Sequence, residues 1–264
     1  MLARVNLQTA EEVWGRIEAI AHAHPGGVLA TDGDGTLWSG DVGEDLFHAF
    51  LEHGRVEPPA LEGLRREATE HGLSDAGGGV DVARRIYAAY REGRYAEERI
   101  CELMAWCFGG WPAAEVRTFA RDVVERAGLG PRLHGELGRV LDCARLAGIR
   151  IVLVSASPRA VVVEAGSRVG IGEDDVVAAS PPIEDGVLRP EVHRPIPYGD
   201  GKVSRLRERV GDRAVYAAFG DNSFDVALLS SAHVGVAVRP KPRLRARAHE
   251  VAGLVELEPD GPHR

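Results

Sequence analysis

Lysine is almost missing from this chain. Among 32 basic side chains the only lysines are Lys202 and Lys241, and all the others are arginine. Cysteine is sparse as well: Cys101, Cys107 and Cys143 are the whole complement, odd in number and without CxxC spacing. That argues against a disulfide framework and fits reduced packing thiols in a cytoplasm. A net positive charge is also lacking. The formal charge is −8, which excludes a nucleic-acid grip built on summed basic charge and leaves any small anionic substrate dependent on local help. Neither an internal repeat nor a low-complexity tract is visible, and no stretch reads as a membrane span. The opening MLARVNLQTAEEVWGRIEAI carries acidic positions at amphipathic helical spacing, so a helix is expected there rather than a signal peptide.

What is present is the makeup of a folded protein: 264 residues, 44% hydrophobic and 27% charged. That length suits one large domain or a core carrying a smaller insertion, and the pattern favours the second. Three apolar runs read as buried strands: GVLATD ending at Asp32, IRIVLVSAS ending at Ser157, and AVYAAFGD ending at Asp221. Weaker strands are expected near Val176 and Val236. Helical patterns separate them, in PRAVVVEAGSRVG, GKVSRLRERVG, SFDVALLSSA and PRLRARAHEV. Alternation of this kind predicts an α/β fold with a doubly wound, mainly parallel sheet. From Asp41 to about Gly130 the periodicity is helical throughout, so residues 41–130 are expected to form a helical cap inserted into a core of 1–40 and 131–264. The D-G pair in IEDGVLRPEV predicts a β-hairpin off the main sheet.

The first strand leads into TDGDGTLW, which places Asp32 and Asp34 two residues apart with glycines between and after. At a strand end entering a Gly-rich turn, both carboxylates can reach one small site. One could attack phosphorus while the other moves the proton of the leaving alkoxide and later of water. A solvated turn explains the same residues. The second strand brings Ser155, and the backbone N–H of Ala156, to the same end of the sheet, where a phosphoryl oxygen could be held near a helix N-terminus. Capping is the other reading of these serines, and the one preferred for Ser157. Asp221 and Asp225 follow the third strand and offer hard oxygen ligands to a small divalent cation, although Asp225 also suits the opening of a helix. Lys202 can neutralise an aspartate and its phosphate with a compact ammonium, or sit solvated at a helix start. Lys241, between two prolines, reads as a surface-loop residue. In AWCFGGWP, Trp106, Phe108 and Trp111 form either core or an aromatic enclosure for a quaternary ammonium.

Together DxDGT, a strand-end serine, a lysine and GDxxxD, in that order, resemble the four motifs of the haloacid dehalogenase superfamily. The likeness is to its branch with a helical cap, which includes phosphoserine phosphatase and related small-metabolite phosphatases. SASP before a helix and VAVRPKPRLRARA are similar to that branch too. The resemblance implies Asp32 as nucleophile and Asp34 as acid/base, with Ser155, Ala156 and Lys202 binding the phosphoryl group. It implies Mg²⁺ held by Asp32, the backbone carbonyl of Asp34, and Asp221, with Asp225 as ligand or support. The expected reaction is hydrolysis of a small phosphate monoester through an aspartyl-phosphate, the substrate being a phosphorylated amino acid or amino alcohol. Asp34 argues against dehalogenation, which needs no acid at that position. Asp41 stands where phosphoserine phosphatase has a glutamate, and Phe224 where it has an asparagine. Asp41, Glu44 and Trp106 are therefore candidates for substrate specificity. The expected partner is a small phosphorylated metabolite, without nucleic acid or membrane, and monomer and homodimer stay open. A phospho-receiver-like signalling module or a non-catalytic binding protein is the competing class. Receivers are about half this length and lack the insertion, and turnover of a generic ester separates the rest.

Overall fold

The computed structural model describes residues 6–260, so the helical reading of the first five positions lies outside the described residues. The chain opens with a short strand, β1 (Asn6–Gln8), where a continuous helix is expected; the helix proper is α1 (Ala10–Ala23). Thr9 sets its start. The Thr9 hydroxyl accepts from the Glu12 N–H at 3.2 Å while the Glu12 carboxylate accepts from the Thr9 N–H at 2.9 Å, a reciprocal capping box. Strand β2 (Val28–Thr31) follows, then five helices with no strand between them: α2 (Val42–His53), α3 (Pro58–Glu70), α4 (Gly79–Arg91), α5 (Glu97–Trp106) and α6 (Ala113–Ala127). The second half alternates. It runs α7 (Gly135–Leu146), β3 (Arg150–Pro158), α8 (Arg159–Arg168) and β4 (Val176–Ala179), then a hairpin of β5 (Ile183–Glu184) and β6 (Val187–Leu188). It closes with α9 (Asp200–Val210), β7 (Val215–Gly220), α10 (Val226–Ser230), β8 (Val234–Val238), α11 (Pro242–Arg247) and β9 (Val255–Leu257).

Seven strands form one parallel sheet in the order β1-β9-β8-β7-β2-β3-β4. Because successive side chains point to opposite faces, each central strand feeds two cores. Leu29, Ile151, Leu153, Ala217 and Phe219 pack on one side with Val13, Ile17, Val140 and Val161 of α1, α7 and α8. Val28, Ala30, Val152, Val154 and Ala218 pack on the other with Leu206, Leu229 and Leu244 of α9 to α11. Burial on both faces is why these strands read as unbroken apolar runs. Chain order reverses around β2, with β3 paired on one flank and β7 on the other. The crevice at the carboxyl ends of strands flanking such a reversal is where open α/β sheets bind ligands.

The hairpin turns at Asp185 and Gly186, both with positive φ, as a two-residue loop between right-twisted strands requires. It does not stand free. Gly110 N–H donates to Leu188 O at 2.8 Å, Ala113 N–H to Gly186 O at 2.8 Å, and Leu188 N–H to Trp111 O at 3.0 Å. The hairpin is thus bonded to the segment between α5 and α6. Among the described residues no helix is long and apolar enough to cross a membrane.

Candidate active site

Asp32 sits just past β2, its N–H donating to Phe219 O at 3.0 Å, and its side chain is 3% exposed. One carboxylate oxygen accepts from Lys202 Nζ at 2.6 Å and the other from the Thr36 hydroxyl at 3.0 Å. Both oxygens are therefore held by partners. The turn that follows depends on Gly35, which has φ +82°, and a Cβ there would lie 2.1 Å from Asp221 Oδ2. Glycine is what lets this loop approach the third strand's aspartate.

Asp34 faces the same cleft from the far side of that turn. Its Oδ1 accepts from Trp38 Nε1 at 2.8 Å and from the Val42 N–H at 2.7 Å, and its Oδ2 accepts from the Ser157 hydroxyl at 2.8 Å. Burial, and then the neighbouring Asp32 charge, raise its carboxyl above the ordinary value, which favours a proton on it. Ser157 is thus a site residue rather than the helix cap expected of it. The residue flanking α8 is Pro158, which offers no side-chain oxygen, so the hydroxyl is free to reach Asp34. Ser155 also lines the cleft, its Oγ accepting from the Ser157 N–H at 3.1 Å, and Ala156 lies between them.

Lys202 is fully buried in the first turn of α9, with Asp225 Oδ1 as its second carboxylate partner. Burial alone would push its ammonium down, but Asp225 and then Asp32 hold it above its ordinary value, so it stays charged. Gly201 makes the approach possible, since a Cβ there would stand 2.0 Å from Ile196 O. Asp225 uses its other oxygen on the N–H groups of Asp221 and Asn222, at 3.1 and 2.9 Å. It therefore braces both the lysine and the loop after β7. Asp221 is 1% exposed, and its Oδ1 is buried without a hydrogen-bond partner. Burial and the Asp32 charge raise its carboxyl to about 7. Asp32, Asp221 and Asp225 each offer an oxygen within 4.8 Å of one another.

Lys241 is not the detached surface residue that its two flanking prolines suggest. Its Nζ lies 2.8 Å from Asp221 Oδ2, and its N–H donates to Asp221 O at 2.8 Å. Both lysines of the chain therefore contact strand-end aspartates. Sequence reading also passed over Thr36, although DxDGT contains it, as well as Glu97 and Tyr198. The last two meet across the cleft at 3.5 Å.

Of the specificity candidates, Asp41 and Glu44 line the cleft from the start of α2, where Asp41 Oδ1 caps the helix by accepting from the Glu44 N–H at 2.8 Å. Burial, and then Asp34, push the Asp41 carboxyl well above its ordinary value. Trp106 does not reach the cleft. It is 7% exposed with its ring against Gly63, because it falls on the face of α5 turned toward α3, while Ile100, Cys101 and Met104 face the opening. Phe108 and Trp111 likewise pack edge to face at 5.4 Å within the core, with Arg55 over the Trp111 ring at 4.4 Å. The aromatic rings that line the cleft are Tyr90, Tyr198 and Phe224.

A sequence profile described as haloacid dehalogenase-like hydrolase matches residues 29–230, a stretch that spans every strand-end residue above. A phosphoserine phosphatase of Halobacterium salinarum is 30% identical over 132 residues, which is 48% of this chain and 63% of that relative's length. Among solved structures, a protein of unknown function from Bordetella pertussis Tohama I superposes with a TM-score of 0.67 at 21% identity, covering 88% of this chain and 97% of that one. A phospho-aspartyl intermediate analogue of phosphoserine phosphatase superposes at 0.51 with 15% identity, covering 89% and 94%. At these identities the structural matches show a shared fold.

Proposed function

Because this chain belongs to the haloacid dehalogenase-like hydrolases, we propose that it is a phosphatase that cleaves a small phosphate monoester by two displacements at Asp32. The observation that carries the reading is the Asp32 carboxylate itself, held by Lys202 and Thr36 at the reversal point of the sheet, with the buried Asp34 carboxyl beside it.

In the first step an Asp32 oxygen attacks phosphorus, the ester P–O bond breaks, and the departing oxygen takes its proton from Asp34. Alcohol leaves and an aspartyl-phosphate remains. In the second step Asp34, now a carboxylate, takes a proton from water as that water attacks phosphorus; the bond to Asp32 breaks and inorganic phosphate is released. Ser155, the Ala156 N–H and Lys202 hold the phosphoryl oxygens. The Trp38, Val42 and Ser157 contacts fix Asp34 in one orientation, which both steps require. The phospho-aspartyl analogue reported for phosphoserine phosphatase supports this route by family membership.

The residues present fit Mg²⁺. Asp221 has a buried oxygen without a hydrogen-bond partner and offers a carboxylate oxygen within 4.8 Å of one from Asp32, a hard-donor set of the kind that suits this ion. Asp32, Asp221 and the Asp34 carbonyl would hold it, while Asp225, with both oxygens engaged, supports Lys202 and the loop instead. Bound there, the ion screens the charge of phosphate and carboxylates crowded in one place. We assign residues 41–130 as a cap over the cleft, which supplies Asp41 and Glu44 to its lining. A phosphorylated amino acid or amino alcohol is the substrate class that these acidic residues suit.

The test is phosphate release from p-nitrophenyl phosphate. Wild-type protein should turn over with Mg²⁺ and stop after exhaustive chelation. Asp32→Asn should lose at least about a thousandfold in kcat while keeping the wild-type circular dichroism spectrum. A folded Asp32→Asn variant near wild-type rate would remove Asp32 as nucleophile, and no turnover of any ester would leave a non-catalytic module.

A further inference from the structure

We infer that the ester cleaved here carries a small primary ammonium on its leaving group and no carboxylate, a phosphorylated amino alcohol rather than a phosphorylated amino acid. This rests on the phosphatase reading above. The phosphoryl group must lie against Asp32, Ser155 and Lys202, so the leaving group occupies the rest of the cleft, beyond Asp34 and under α2 and α5. The whole cleft, phosphoryl end included, is small, about 50 Å³, so a compact leaving group suits it. Its polar lining beyond the phosphoryl end is acidic: Asp41 and Glu44 from the first turns of α2, and Glu97 from the first turn of α5. No arginine, lysine or histidine lines it.

The electrostatic consequence follows from the geometry. Three carboxylates around a small space strongly disfavour a second negative group, and they offer oxygen acceptors that an N–H donor can use. The uncharged residues of the cleft register the same field. Burial, then Asp41 and Glu97, push the Cys101 thiol well above its ordinary value, and burial followed by Glu97 raises the Tyr90 and Tyr198 hydroxyls. The rings of Tyr90 and Tyr198 add faces that attract a cation, while Phe224, 5.1 Å from Tyr198, already has the Lys202 ammonium 5.0 Å from its centroid. The buried cation at the phosphoryl end, Lys202, is already held by Asp32 and Asp225, and the other cations near these acids are outside the lining. Arg91 lies 3.9 Å from Glu44 and Arg243 lies 3.4 Å from Glu97, with side chains 64% and 75% exposed, so each screens its partner from the solvent side without entering the cleft. A substrate carboxylate beyond the phosphoryl end would find no cation free of other carboxylates, since Lys202 is committed to Asp32 and Asp225, whereas an ammonium would find Asp41, Glu44 and Glu97.

The experiment compares kcat/KM in Mg²⁺ for phosphoethanolamine, its neutral isostere propyl phosphate, O-phosphoserine and p-nitrophenyl phosphate. Phosphoethanolamine should exceed both propyl phosphate and O-phosphoserine by about tenfold or more, the scale of one charge contact in a partly shielded site. Glu97→Gln and Glu44→Gln, both on partly exposed first turns, should each lower the phosphoethanolamine-to-propyl-phosphate ratio severalfold. Cleavage of propyl or p-nitrophenyl phosphate without preference for the ammonium would overturn the inference and leave the phosphatase reading standing. A preference for O-phosphoserine, or one that survives both glutamine variants, would overturn it too. No cleavage of any of the four would remove both readings together.

Discussion

At the level of single residues, the phosphoryl end of the site is a balance between the carboxylates of Asp32, Asp34, Asp221 and Asp225 and the ammonium groups of Lys202 and Lys241. Lys202 is shared between Asp32 and Asp225 and is completely enclosed, so it belongs to the scaffold that holds Asp32. Lys241 is different: half exposed, it reaches in to neutralise Asp221, whose second oxygen has no partner. A lysine so placed competes with a divalent cation for the same carboxylate. Lys241→Met should therefore tighten Mg²⁺ binding severalfold in titration calorimetry; weaker binding would show instead that the lysine positions Asp221 for the ion. Much of this was legible beforehand, because Asp32, Ser155 and Asp221 each end an apolar run and must share one edge of a parallel sheet. Lys241 was not, since a proline on either side reads as loop and its partner lies 20 positions away, beyond α10 and β8. Ser157 was missed for a subtler reason. Its neighbour Pro158 makes a helix start obvious, and capping is the usual work of a serine there, but the hydroxyl is spent on Asp34.

Among the elements, those that were hardest to read are the ones whose stability comes from partners rather than from pattern. β1 and β9 are three residues each and pair with one another at the edge of the sheet. Neither is an apolar run, so periodicity assigns the first to a helix and passes over the second. The hairpin was legible from its D-G pair, but its bonding to the α5–α6 segment was not, because those contacts are main-chain and independent of residue type. Where a helix start has its own local chemistry, a single substitution should report on it. Thr9→Ala removes the side-chain half of the α1 capping box and should cost about 1 kcal/mol in urea unfolding, with the slope unchanged. A loss near zero would mean that α1 is held by Val13 and Ile17 in the core and owes little to its cap.

For the whole molecule, the crowding of carboxylates at the sheet edge couples folding to protons and, with Mg²⁺ held as proposed, to metal. Asp221 is raised to about 7 in the folded chain, above its ordinary 3.8, so the folded state holds that proton more tightly. Its contribution to stability is therefore present at low pH and is lost as pH rises toward 7 and beyond. His134, whose burial holds its ring below the ordinary value, contributes in the opposite direction, but equally with and without metal. The gain in thermal midpoint on adding Mg²⁺ should consequently grow as pH rises from about 6 to about 8, by roughly 5 °C, because below that range the cation must displace a proton from Asp221. A gain independent of pH would show that Asp221 is already ionised without metal. The same edge gives the molecule an unusual chemical signature. With one lysine fully enclosed and the other half exposed on Asp221, Lys241 is the single accessible side-chain amine among the described residues. Among side chains, amine-directed acylation, ordinarily a scattershot surface reaction, is confined here to Lys241, and a fluorophore placed there, told apart from one on the α-amine by peptide mapping, would report on the Asp221 site without any cysteine being introduced.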